Sequence, residues 1–223
     1  MQICSVNIGK AEWIEFAGKG AMSAITKNPI HTQVFLSTLG LQGDEQANRI
    51  RHGGPDKALC AYPEEHYEYW EHELSMVLPL GSFGENLTVQ GMRESEIHIG
   101  DIFMWGEVLL EVTQPRPPCH KLAKKFHNPQ LPLLFQNQGR TGYYMRVLQE
   151  GWVSIESPFA CLKHHPDRIS IATVNHVMYK DIWNKELLVA IIKVEALSAS
   201  CRTTFELRLA GQHDDSENRL QGM

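Results

Sequence analysis

The sequence has no CxxC pair. Its five cysteines, at positions 4, 60, 119, 161 and 201, are widely dispersed. That removes support for zinc ribbons, thioredoxin-type dithiols and iron–sulfur clusters, whose ligands come in close pairs. An odd, scattered set also makes a poor disulfide framework, so free thiols in a reducing compartment are expected. No GxGxxG follows a strand pattern, and neither GxxxxGK[ST] nor HExxH occurs. A flavin or NAD site, a P-loop and a zinc protease therefore have no motif behind them. No apolar run reaches the roughly 18 residues that a membrane span needs. The opening Met1-Gln2-Ile3-Cys4-Ser5-Val6 has no basic stretch ahead of an apolar one, which leads us to expect a cytoplasmic protein. Positive charge is not in excess either. With 21 Lys+Arg against 26 Asp+Glu, the net charge of −5 disfavours nucleic acid or a membrane surface as partner.

Glycine and proline are unevenly spread across the 223 residues: positions 164–223 hold only Gly211, Gly222 and Pro166. The pattern predicts short strands and tight turns over 1–163, then helices over 164–223, joined near His164-His165-Pro166-Asp167. Ile3–Ile8, Leu87–Val89 and Ile97–Ile99 read as strands. Gly100–Trp105 and Val108–Thr113 read as a hairpin about Gly106-Glu107. With few crossover helices between strands, a mainly β, closed barrel with peripheral helices is expected. Helices are predicted over Glu64–Leu78, after Pro63, and over Tyr143–Gln149, stopped by Gly151. In the tail, Ser170, Asp181 and Ser198 are expected to cap three amphipathic helices. So small a unit has a marginal core of its own, so it should lean on the first domain or on a second subunit, making a homodimer plausible.

Four segments carry candidate chemistry. Gln114-Pro115-Arg116-Pro117-Pro118-Cys119-His120-Lys121 is the most unusual, because its prolines fix the backbone and forbid ladder bonds. Such a rigid segment holds Cys119 in one place, and Arg116, Lys121 and a helix starting near the cysteine favour its thiolate. A thiolate can be a nucleophile or a ligand for a soft metal centre; the alternative is a buried structural cysteine. His52-Gly53-Gly54-Pro55-Asp56-Lys57 forms a tight loop able to cradle an anion, or only a turn. Gly81–Thr88 offers Glu85 and Asn86 as polar groups. Gly139–Arg146 offers Arg140 and Arg146 for bidentate contacts to phosphate at a helix entrance. Together they set cations on Gly/Pro loops of an acidic chain, which suggests a polyanionic ligand beside a reactive thiol. The remaining histidines are read as surface or core residues.

These motifs, with Ser23–Ile25, Lys27-Asn28-Pro29, Gly40–Ala47, Tyr62–Tyr67 and Ile99-Gly100-Asp101, resemble the MOSC domain family, named for the C-terminal domain of molybdenum cofactor sulfurases. Within it, the chain is most similar to YiiM-like proteins, whose MOSC barrel is followed by a small three-helix domain. The resemblance implies a MOSC β-barrel over 1–163 and the helical domain over 164–223. It also implies a molybdopterin-type molybdenum cofactor, with Cys119 as the metal ligand and His52, Lys57, Arg116, Lys121, Arg140 and Arg146 against the cofactor. Asn86 or Asp56 is expected to orient the substrate or the oxo ligand. The implied activity is reduction of N-hydroxylated compounds such as N-hydroxylated purines. With no flavin, NAD or Fe–S site within the chain, electrons must come from an external reductase. A sulfur or molybdenum cofactor carrier using Cys119 is one alternative, and a barrel that binds an anionic ligand without chemistry another; a bound pterin with molybdenum, or a one-sulfur mass adduct on Cys119, separates the reductase from the sulfur carrier. The sequence departs from the family's common pattern at Asn48, where an acid is usual, and in the 139–146 loop.

Overall fold

Alternating apolar residues on either side of a Gly turn build the centre of the molecule. In the computed structural model, which describes residues 1–47 and 53–212 and Leu220, the expected hairpin forms from β9 (Ile102–Trp105) and β10 (Val108–Pro115). Phe103, Trp105, Val108, Leu110 and Val112 enter the core. β10 pairs next with β11 (Tyr143–Gln149), and β11 with β7 (Leu59–Pro63). β7 runs parallel to β8 (Leu87–Gln90), which pairs antiparallel with β1 (Gln2–Ile8). The parallel step requires a crossover. Here the chain supplies it through a 3₁₀ turn at Glu64–His66 and helix α1 (Tyr67–Leu74). The eight-stranded sheet is completed by β4 (Asn28–Pro29) beside β1 and β13 (Phe159–Lys163) beside β9, and it curls into a half-barrel. Two small sheets flank it: β2 (Glu12–Phe16) with β3 (Lys19–Ser23), and β5 (Val34–Ser37) with β6 (Gly40–Leu41) and β12 (Gly151–Val153).

Helices α2 (His120–Phe126) and α3 (Leu131–Gln138) join α1 to enclose a second, aromatic core. Trp70 stacks on Phe135 at 4.1 Å between ring centroids, and its Nε1 donates to Tyr62 at 2.6 Å, so the buried indole is satisfied. The tail forms α4 (Ile171–Tyr179), α5 (Lys185–Lys193) and α6 (Ala199–Leu209). Ser170 and Ser198 cap α4 and α6 as expected. Val174, Val177, Leu188, Ile191, Cys201 and Phe205 belong to the same apolar cluster as the sheet's Phe103 and Val112. The helices therefore complete the main core, which is why so few residues suffice. Among the described residues, no helix is long and apolar enough to cross a membrane.

Four local expectations change. Residues 143–149 form a central strand, not a helix: Tyr143, Tyr144, Met145 and Val147 are buried between β10 and β7, and ladder pairing on both edges outweighs any local helical preference. The helix after Pro63 stops at Leu74, where Ser75 turns left-handed (φ 52°), and Val77 is 85% exposed. Ile97–Ile99 makes only a single bridge, His98 to Ser170. Asn184, not Asp181, caps α5: its Oδ1 accepts from the Leu187 N–H at 3.0 Å, while Asp181 accepts from the Asn184 side chain at 2.7 Å.

Candidate functional site

Where β10 runs out into Pro115–Pro118, the ladder ends and the chain turns into α2 with Cys119 as its N-cap residue. The backbone at Cys119 is extended (φ −139°, ψ 166°), and its side chain is buried. The Arg116 N–H donates to the Gly142 carbonyl at 3.0 Å, which anchors the proline segment to the loop before β11. Its guanidinium is buried, and Nη2 donates to the Phe83 carbonyl at 2.6 Å. Nη1 is also buried and has no acceptor. Beside the guanidinium, the Cys60 thiol offers only a weak sulfur partner, and an incompletely satisfied buried charged donor is costly, so an anionic ligand would stabilise it.

The acceptor for Nη2 is held in place by Glu85. This fully buried carboxylate accepts from the N–H groups of Gly81 (3.0 Å) and Phe83 (3.1 Å), from Thr88 (2.9 Å) and from the Tyr67 hydroxyl. The loop thus winds around one anion. Gly84 has φ 82° there, and a Cβ would lie 2.7 Å from Ile25 Cγ1, so only glycine fits. The next residue, Asn86, accepts from the Cys60 N–H at 3.1 Å and donates to Asp44 at 2.8 Å and to the Asn7 carbonyl at 3.3 Å. Asp44 in turn accepts from the Gly9 N–H at 2.8 Å and pairs with the buried Lys27.

These elements wall a solvent-open cleft. Cys119, Arg116, Lys57, Lys121 and Asn86 all line it, together with Lys27, Asp44, Cys60 and Tyr144. Burial holds Lys57 and Lys121 below the ordinary lysine value, opposed at Lys57 by Cys201 and Asp56 and at Lys121 by Cys119. For Arg116, burial pulls down, but Cys60, Tyr144, Cys119 and Glu85 around it outweigh that and raise it, so it stays charged. Burial also pushes the Cys60 thiol up to about 11, against the pull of Arg116. The cleft therefore pairs a cluster of cations with two buried thiols, an arrangement suited to an anionic ligand that also offers something soft to bind.

Three expected site residues lie elsewhere. Asp56 turns away from the cleft: its Oδ1 pairs with Arg146 at 2.8 Å and its Oδ2 accepts from the Ala199 N–H at 2.9 Å, at the start of α6. Arg146, on a strand and not at a helix entrance, also contacts Glu111 at 3.3 Å and the Ala196 carbonyl at 3.0 Å. Both tie the sheet to the helical tail. Arg140 lies 3.9 Å over the Tyr69 ring, stacked outside the cleft lining. His52 and Asn48 fall outside the described residues. Asn86 lines the cleft, but its amide is taken up by the three contacts above, which make it a brace for Asp44 and β7. Lys27, Asp44, Cys60 and Tyr144 were missed as site residues. Lys27 and Asp44 lie in segments the family resemblance uses, yet nothing local in the sequence brings them together.

Residues 48–159 match the model of the MOSC domain, and residues 169–212 match that of the YiiM-like, 3-alpha helix domain. The chain belongs to the MOSC-domain family. Protein YiiM of Escherichia coli (strain K12) is 38% identical over 208 residues, covering 92% of this chain and 92% of that protein. The crystal structure of YiiM from Geobacillus stearothermophilus superposes with a TM-score of 0.80 at 38% identity, covering 93% of this chain and 98% of that one. A protein named Reductase from Gibberella moniliformis (strain M3125 / FGSC 7600) is 36% identical over 169 residues, covering 72% of this chain but 30% of that protein. In this MOSC protein, the matched region includes Lys57, Asn86, Arg116, Cys119 and Lys121, while Lys27 and Asp44 precede it.

Proposed function

We propose that this MOSC protein is a molybdenum-cofactor-dependent reductase of N-hydroxylated compounds, supplied with electrons by a separate reductase. The carrying observation is Arg116: a buried, permanently charged guanidinium at the cleft wall with Nη1 lacking an acceptor, in a cleft that Cys119 also lines. The residues fit a phosphorylated pterin that carries a thiophilic metal. Arg116, Lys57 and Lys121 would hold the phosphate, and the Cys119 sulfur would hold the metal. When bound, the cofactor supplies the two-electron chemistry that removes oxygen from an N–OH group. MOSC membership and the likeness to a protein named Reductase support an oxidoreductase reading.

The chain's own residues supply the rest. The proline segment and the start of α2 fix the sulfur, so little conformational freedom is lost when it binds. The Asn86–Asp44–Lys27 network keeps the opposite wall rigid. Removing a hydroxyl oxygen as water requires protons. The cleft is open to solvent, which supplies them.

The test uses protein from a host that makes the cofactor. One molybdenum and one pterin per chain are expected, with reduction of an N-hydroxylated purine when a viologen dye donates the electrons. Cys119→Ser should lose the metal and at least 100-fold of the activity, a magnitude typical for removing an essential group. Full metal content and activity in that variant would overturn the proposal, as would a metal-loaded wild type inert toward N-hydroxylated substrates.

A further inference from the structure

A second chemical cluster lies away from the cleft, where β13 leads into the helical tail. The turn after His98 brings Asp101 back beneath it: the Asp101 N–H donates to the His98 carbonyl at 3.0 Å. Gly100 permits this turn, with φ 84°; a Cβ there would meet His165 Cδ2 at 2.5 Å. Asp101 is fully buried and His98 nearly so, whereas His164 is 49% exposed. The Nδ1 atoms of His98 and His164 approach the same oxygen, Asp101 Oδ2, at 3.2 and 3.3 Å. That oxygen also takes the His98 N–H at 3.1 Å, while Oδ1 takes the His165 N–H at 2.9 Å.

Three nitrogens thus crowd one carboxylate oxygen, which has only about two lone-pair directions. A cation among them would turn two of these contacts into ligand–ligand edges. Bonds of about 2.0 Å to nitrogen and oxygen set tetrahedral neighbours about 3.3 Å apart, and the two observed edges match that. Cys161 Sγ lies against the His164 ring, 3.6 Å from Nδ1 and 3.8 Å from Nε2, and is not one of the converging ligands. Two imidazoles and a carboxylate select zinc over magnesium or calcium. The contacts outside the cluster also suit a metal, since the backbone N–H groups of His98 and His165 orient the carboxylate.

We propose that His98, Asp101 and His164 bind a zinc-type divalent cation that pins the linker at 164–168 to the sheet. Its ligands come from the β8–β9 connection and from the linker, so the ion stabilises the attachment of the helical tail rather than serving the cleft chemistry.

Untagged full-length protein, stripped with a chelator, is titrated with Zn²⁺ by calorimetry and melted with and without the metal. One equivalent should bind and raise the melting temperature, because a ligand of the folded state stabilises it. His164→Ala, at a half-exposed position that the fold tolerates, should weaken binding at least tenfold and abolish the thermal shift. The controls His72→Ala, on exposed α1 surface, and Cys119→Ser, in the cleft, should retain both. Absence of stoichiometric binding, binding that survives His164→Ala, or binding lost in Cys119→Ser would each overturn the assignment. The last outcome would place the zinc in the cleft and leave the reductase proposal to its own test.

Discussion

Replacing Asp56 with alanine separates a structural role from a catalytic one. The carboxylate bridges Arg146 on β11 and the first N–H of α6, at 2.8 and 2.9 Å. The Asp56 and Arg146 side chains are 31% and 23% exposed, so the ion pair is screened and is worth about 0.5–1 kcal/mol. The bond to the N-terminus of α6, aided by the helix dipole, adds about 1 kcal/mol. Asp56→Ala should therefore cost on the order of 1.5–2 kcal/mol, which for a chain of this size lowers the melting temperature by roughly 3–8 °C. Arg146→Ala should cost more. It also removes the partner of Glu111, whose carboxyl burial already pushes up against the pull of Arg146. The double variant should fall short of the combined single costs by about 0.5–1 kcal/mol, the coupling of the pair. Thermal unfolding by circular dichroism measures these shifts, and molybdenum and pterin content measures the cleft. An Asp56→Ala protein that melts like the wild type yet loses its cofactor would refute the structural assignment and return Asp56 to the site.

Two further outcomes follow from the cleft wall and from the helix that starts beside it. Gly84→Ala forces a side chain into a left-handed conformation and drives a Cβ to within 3.1 Å of the Ile25 carbonyl oxygen, so a loss of about 2–4 kcal/mol is expected in urea denaturation; a loss below about 0.5 kcal/mol would show that the loop yields freely. Lys125 donates to the Ile25 carbonyl at 3.1 Å, and burial, opposed by Glu85, lowers it from 10.5 to about 8. Between those values the unfolded chain binds the extra proton, so this group makes stability rise with pH from about 8 to 10.5. Lys125→Met should flatten that rise, and parallel urea midpoints for both proteins across the window would contradict the shift.

Several parts of the molecule were written locally. The β9–β10 hairpin follows from alternation about Gly106, the caps at Ser170 and Ser198 from short polar side chains ahead of apolar periodicity, and the Cys119 segment from prolines that can neither extend a ladder nor relax. Each depends on neighbours within a few residues, and sequence displays such neighbours directly. Residues 143–149 show the limit. Their helical reading failed because the deciding partners, β10 and β7, lie tens of residues away and satisfy the strand on both edges. The same distance governs the charges. Among the basic residues on Gly/Pro loops, the sequence does not tell which face the cleft. The fold sends Lys57, Arg116 and Lys121 into the cleft, commits Asp56 and Arg146 to the tail, and stacks Arg140 on Tyr69. It also brings Lys27 to Asp44 and His164 to Asp101, pairs with no shared local pattern. By itself, then, the sequence determined the family, the rigid cysteine and the helical tail. Only the tertiary structure decided which cations meet at that cysteine, because a charge's role is set by what long-range packing leaves beside it.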